Sequence, residues 1–136
     1  MAKKIFVSYN FNDKEVVHTV QSMMQSNQGK IQGKLVFVEN DVSHEGTNAI
    51  DREIRRVIYG CDVALFVVGN NNHNSPWINR EAELAISNGA CIVVSKLPKT
   101  NGGIPNALIH HHYYEANWSS NDLSYHLNRC KKNKKV

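Results

Sequence analysis

The run DVALFVV at residues 62–68 carries one polar residue, and it is the first. A strand with one wet face alternates apolar and polar side chains; a continuous apolar run fits a strand covered on both faces. Such a strand needs a neighbour on each edge and a layer on each side, and the rest of the chain offers both. KIFVSY (4–9), KLVFVE (34–39) and ACIVVSK (90–96) are short β-rich runs, and HHHYYEA (110–116) reads as a polar edge strand.

Helical periodicity fills the intervals. In DKEVVHTVQSMM, Val16, Val17, Val20, Met23 and Met24 recur at helical spacing, with Asn12 as N-cap and Glu15 in the capping-box place. Ile50, Ile54, Val57, Ile58 and Cys61 form the stripe of a second helix, SPWINREAELAISNG (75–89) supplies another, and SNDLSYHLNRC a last short one. Strand–helix alternation with continuous apolar strands predicts a parallel sheet covered on both sides, hence an α/β, flavodoxin-like three-layer domain. The expected strand order is 2-1-3-4-5 in a five-stranded sheet, built by one domain over 1–130 and followed by a basic tail at 131–136.

The winding of that sheet reverses between strands 1 and 3, so a ligand crevice is expected beyond their carboxyl ends. Three polar segments meet there: SYNFND, ENDVSHEG and GNNNHNSPW. No GxxxxGK[ST] or GxGxxG follows a strand, and GxSxG and HExxH are absent. Strand 3 ends Val68-Gly69-Asn70, without the aspartate a phosphoacceptor receiver needs. His110, His111 and His112 have no Cys, Asp or Glu at ligand spacing, so no metal site is expected.

The four lysines of KKNKKV account for the whole formal charge of +4, so the folded body is not expected to bind nucleic acid. Cys61, Cys91 and Cys130 are scattered, without a CxxC pair, and are expected as reduced core thiols. No apolar run approaches the roughly 18 residues of a membrane helix, and MAKKIFVSYN lacks a secretory h-region, so the chain is expected to be cytoplasmic.

At about 100° per residue, Ile78, Ala82, Ala85 and Ile86 make the buried stripe of the helix over 75–89, with Trp77 and Glu81 one turn apart on its flank. Glu83 and Arg80 are expected to point to water. A carboxylate in the first turns also gains from the helix dipole, so position alone leaves Glu81 equally readable as a structural or a functional acid.

KIFVSYNFND, DVALFVVGNN and SPWINREAELA, in this order and spacing, resemble the TIR-domain superfamily, and within it the short bacterial TIR-like proteins of Thoeris antiphage systems. The resemblance spans residues 4 to about 96, and its most specific part is the tryptophan followed four residues later by glutamate. It implies an NAD-cleaving enzyme (an NADase or ADP-ribosyl cyclase) with Glu81 catalytic, NAD as substrate and no cofactor. It further implies that Ser8, Tyr9, Asn10, Asn40, Asp41, Ser75 and Trp77 bind substrate.

In such a site Tyr9 and Trp77 would stack on a ring of NAD, although either also suits a core position. Asn10 and Asp13 equally suit capping of the first helix. NDVSHEG lacks the arginine and proline of the animal adaptor box. The implied partners are a second copy on activation, an effector protein that senses an ADP-ribose-derived product, and a phage-derived activator. Two alternatives remain at this point: a non-catalytic interaction module, and a nucleoside deoxyribosyltransferase-like enzyme that also sets a glutamate on an anomeric carbon.

Overall fold

The computed structural model describes residues 4–9, 15, 18, 19, 22, 34–37, 46–69, 76–100 and 102–131. The strands are β1 (Lys4–Ser8), β2 (Lys34–Phe37), β3 (Val63–Val68), β4 (Cys91–Lys96) and β5 (Tyr114–Ala116). They form one sheet in the order β2-β1-β3-β4-β5, and every pairing is parallel. The helices are α1 (Thr47–Ile58), α2 (Pro76–Ser87) and α3 (Ser120–Arg129), with a 3-10 turn at Asn106–Leu108. Glu15, His18, Thr19 and Ser22, within the first expected helix, are helical, whereas Asn12 lies outside the described residues.

DVALFVV forms the middle of the sheet: all six residues of β3 are buried, between β1 and β4. Because side chains alternate across a strand, its residues divide between two cores. Ala64, Phe66 and Val68 join Phe6, Ile92 and Val94 under α1 and α2. Val63, Leu65 and Val67 join Ile5, Val7 and Val93 under Leu123 and Leu127 of α3. Both faces are therefore dry, which is why β3 tolerates no polar residue.

Local chemistry fixes where α2 starts and stops. Pro76 opens it, where a missing N–H costs nothing and the fixed φ already suits a helix. Gly89 closes it at φ 72, with its N–H donating to the Ile86 carbonyl at 2.9 Å and that of Ala90 to Ala85 at 3.1 Å. This is the six-to-one, five-to-two pattern of a Schellman end, and glycine adopts its left-handed residue without a Cβ clash. Gly102 is constrained differently: a Cβ there would lie 1.6 Å from the Gly69 carbonyl oxygen, so only glycine lets the chain after β4 cross the end of β3 so closely.

Arg80 departs from the expected exposed position. Its Nε and one terminal nitrogen grip both oxygens of Asp51 on α1 at 2.7 and 2.8 Å, while the other holds Glu83 at 2.8 Å. That fork holds α2 against α1 and keeps the Asp51 carboxyl below its ordinary range. The buried face of α2 is Ile78, Glu81, Ala82, Leu84 and Ala85; Ile86, expected within it, is half-buried.

Two further expectations are corrected. Strand pairing in HHHYYEA is confined to Tyr114–Ala116, and His110, His111 and His112 lie in the turn and bend before it, so they share no strand face. Cys91 and Cys130 are not reduced thiols but a disulfide joining the start of β4 to the end of α3, while Cys61 stays a buried thiol. The two cysteines lie 39 residues apart and meet only through the fold, so no local spacing could announce them. Among the described residues no helix is long and apolar enough to cross a membrane.

Closing a 39-residue loop is worth at most about 4 kcal/mol on chain entropy. Cys130→Ser is therefore expected to lower the urea-unfolding free energy by about 2–4 kcal/mol without reductant. Wild type in dithiothreitol should fall to the level of the variant.

Candidate functional site

Ser8 is the last residue of β1 and pairs with Phe66 of β3, so it sits at the carboxyl edge where the winding reverses. Alternation gives its side chain the face of Phe6, beneath α2. Glu81 descends onto the same place from α2. Helical side chains lean toward the N-terminus of their helix, and the N-terminus of α2 follows the carboxyl end of β3, so Glu81 leans toward that edge and toward Trp77 one turn earlier.

The two side chains meet. Ser8 Oγ donates to Glu81 Oε1 at 2.7 Å, and both residues are 2% exposed. The Trp77 side chain supplies a second hydrogen bond to the carboxyl while its ring packs half-buried against the α1–α2 core. Neither donor carries charge. Burial therefore dominates and pushes the Glu81 carboxyl up to about 8, with the Ser8 and Trp77 hydrogen bonds opposing it in part. Glu83, two residues on, is exposed and ion-paired to Arg80. The two glutamates are as unlike as the helical pattern predicts, although Glu81 lies deeper than the core edge where the pattern put it.

Tyr9 does not join this group. It follows Ser8 onto the other face and lies half-buried against the core that holds Ile5, Val7 and Leu65. Asn10, Asn40, Asp41 and Ser75 lie outside the described residues.

Three residues near the carboxyl edge escaped the sequence reading. Asn79 on α2 accepts a hydrogen bond from Ala107 N at 2.9 Å and pins the 3-10 turn against the helix; a polar residue in an otherwise apolar flank was its one signal. Ser95 near the end of β4 is fully buried, and its hydroxyl has no hydrogen-bond partner among the described residues. Gly102 gave only the ambiguous signal of a Gly-Gly turn.

A half-buried indole, a serine hydroxyl and a buried acid at a sheet switch point can hold a sugar and stabilise positive charge on it. Among the described residues no charged group acts on the Glu81 carboxyl. Among the described residues no three His, Cys, Asp or Glu gather as metal ligands.

In overall shape the chain is similar to the TIR domain of the Toll-related receptor TRR-2 from Hydra magnipapillata. The TM-score is 0.58 at 15% identity, over 92% of this chain and 91% of that one. At that identity the likeness speaks for the fold alone. No curated protein matches the sequence. The profile of the family described as Thoeris protein ThsB, TIR-like domain, matches residues 6–102, which include the end of β1, all of β3 and α2, and both Ser8 and Glu81. The chain thus belongs to the TIR-like domain family of the Thoeris protein ThsB.

Proposed function

We propose that this domain cleaves the nicotinamide–ribose bond of NAD, with Glu81 as the catalytic carboxylate, and yields an ADP-ribose-derived signalling nucleotide in antiphage defence. The observation that carries the reading is the buried acid at the switch point, bonded among the described residues to the neutral donors Ser8 and Trp77.

The nicotinamide ring of NAD is cationic while attached to ribose. When the bond from its ring nitrogen to the anomeric carbon breaks, the electron pair leaves with nicotinamide, which departs neutral. The positive charge moves to the anomeric carbon and ring oxygen of the ribose. An ionised Glu81 stabilises that charge through space, as glycosidase carboxylates do, and no acid is needed to protonate the leaving group. Water then attacks the anomeric carbon and loses a proton, giving ADP-ribose; a hydroxyl of the same nucleotide attacking instead gives a cyclic product.

Ser8 orients the carboxyl, and Trp77 both orients it and walls the site. A second copy of the chain, an effector protein reading the product and a phage-derived activator complete the proposed system. A wild type that stays folded and self-associates with its activator, yet never consumes NAD, would favour the non-catalytic interaction module. Cleavage of deoxynucleosides in place of NAD would favour the deoxyribosyltransferase reading.

Glu81→Gln keeps the shape and removes the charge. Nicotinamide release by the activated protein should fall by at least about a hundredfold, the scale of losing one strong electrostatic contribution in an active site; undiminished release would remove Glu81 from the chemistry.

The acidity of Glu81 sets two pH signatures. The ionised form is the active one, so kcat/KM should rise with pH through about 8. Stability runs the other way. The native carboxyl at about 8 lies above its ordinary 4.5, so between those values the native state holds the proton more often than the unfolded chain does. Unfolding free energy attributable to Glu81 is thus intact below 4.5 and is lost as pH rises through 8. Glu81→Gln should gain stability over wild type as pH goes from about 5 to 9, measured by urea denaturation. Parallel curves would mean the carboxyl is solvated.

A further inference from the structure

A concave site lies at the opposite corner of the sheet. Tyr114 of β5, Tyr125, His126 and Arg129 of α3, and Cys130 line a cavity of about 290 Å³. Cys130 is bonded to Cys91, the first residue of β4, so this cavity sits toward the amino ends of the strands, whereas Ser8 and Glu81 sit at the carboxyl edge.

Aromatic groups surround it at stacking distances. The Tyr114 and His126 ring centres are 6.3 Å apart with planes tilted by 31°, and Tyr125 meets His126 edge-on at 5.1 Å. His112 meets Tyr114 edge-on at 4.8 Å. Tyr114 and Tyr125 are 44% and 53% exposed, so ring surface is left open to solvent rather than spent on the core.

The charge in this corner is positive. The Arg129 guanidinium lies 4.2 Å from the centre of the Tyr125 ring and forms no ion pair with a described residue. The nearby carboxylate of Asp122 is directed to His126 at 3.9 Å. Four lysines follow directly in sequence, at 131, 132, 134 and 135.

Open aromatic surface with an exposed guanidinium that no described carboxylate holds matches a flat ring joined to an anion. A ring can stack on Tyr114 or Tyr125, and Arg129 offers the planar fork that takes phosphate oxygens in pairs. The volume admits a base and a phosphate or two. A hydrophobic peptide would leave Arg129 buried without a partner, and a bare anion would make no use of the rings. We infer that this cavity is a nucleotide-binding site, separate from the Glu81 site, that takes a purine nucleoside mono- or diphosphate by stacking on Tyr125 and Tyr114 and pairing with Arg129. The inference does not rest on the NAD-cleaving reading.

AMP titrated into the full chain, followed by amide NMR, tests it. Shifts are expected at residues 112–130, with inorganic phosphate at equal ionic strength binding at least about tenfold more weakly, since stacking of a base supplies the difference. Tyr125→Ala and Arg129→Ala, both at exposed positions, should each weaken AMP about tenfold or more, and Arg129→Gln should match Arg129→Ala. Glu81→Gln should leave these shifts unchanged.

The inference is overturned if AMP produces no shifts there at millimolar concentration, if phosphate binds as well as AMP, or if Arg129→Ala and Arg129→Gln keep full affinity. Loss of the shifts in Glu81→Gln would place the nucleotide at the other site. A single-stranded octanucleotide binding a hundredfold more tightly than AMP would make the corner a nucleic-acid surface instead.

Discussion

The structure keeps an ionisable acid in a dry place, with no charged group beside it among the described residues. Glu81 could have been an apolar residue if α2 needed only to cover the sheet, since its neighbours Ile78, Ala82, Leu84 and Ala85 are all apolar. The fold accepts the cost of burying a carboxyl and offsets it only in part, through the Ser8 hydroxyl and the Trp77 side chain. A true partner charge was available in sequence: Arg80 is adjacent, yet it turns outward to Asp51 and Glu83. Adjacent residues on a helix point about 100° apart, so committing Arg80 to α1 also denies it to Glu81. The interhelical ion pair and the unneutralised acid are two results of one helix orientation.

The phase of β1 matters as much. Ser8 reaches Glu81 because it falls on the face of Phe6, and a slip of one residue would exchange it for Tyr9, an aromatic that now packs against the core on the far side. That phase is held by the register of β1 on β3, in which Phe6 opposes Ala64 and Ser8 opposes Phe66. Both strands are buried on both faces, so a slipped register would put Ser8 into one core and leave the large rings without their present partners.

Much of this was legible in the sequence, for identifiable reasons. Continuous apolar strands, helical stripes and the special place of Glu81 are periodic, and periodicity survives without knowledge of what packs against what. The unforeseen features depend on long-range pairing. Cys91 and Cys130 meet only because α3 returns over β4; Arg80 meets Asp51 only because α1 and α2 are neighbours; and Tyr9 faces away from Glu81 because strand alternation separates consecutive residues whose motif keeps them together. His110 to His112 misled for a local reason: Tyr and His favour strands by composition, but the 3-10 turn at Asn106–Leu108 carries the chain into a bend before pairing begins.

That no countercharge stands beside Glu81 among the described residues gives the proposed reaction a physical logic. A carboxyl near 8 is mostly protonated at neutral pH and is poorly prepared to stabilise an oxocarbenium ion on its own. NAD would bring the cation with it: a pyridinium docked beside Glu81 would lower the pKa of the carboxyl and favour loss of the proton. The same cation that makes nicotinamide a good leaving group would thus create the charged catalyst, and a substrate with a neutral base would bind without ionising Glu81. Selectivity for a cationic nucleotide would then follow from the electrostatics of one buried acid, without a dedicated pocket for the nicotinamide amide group. The cost of burying the acid would be the source of that selectivity.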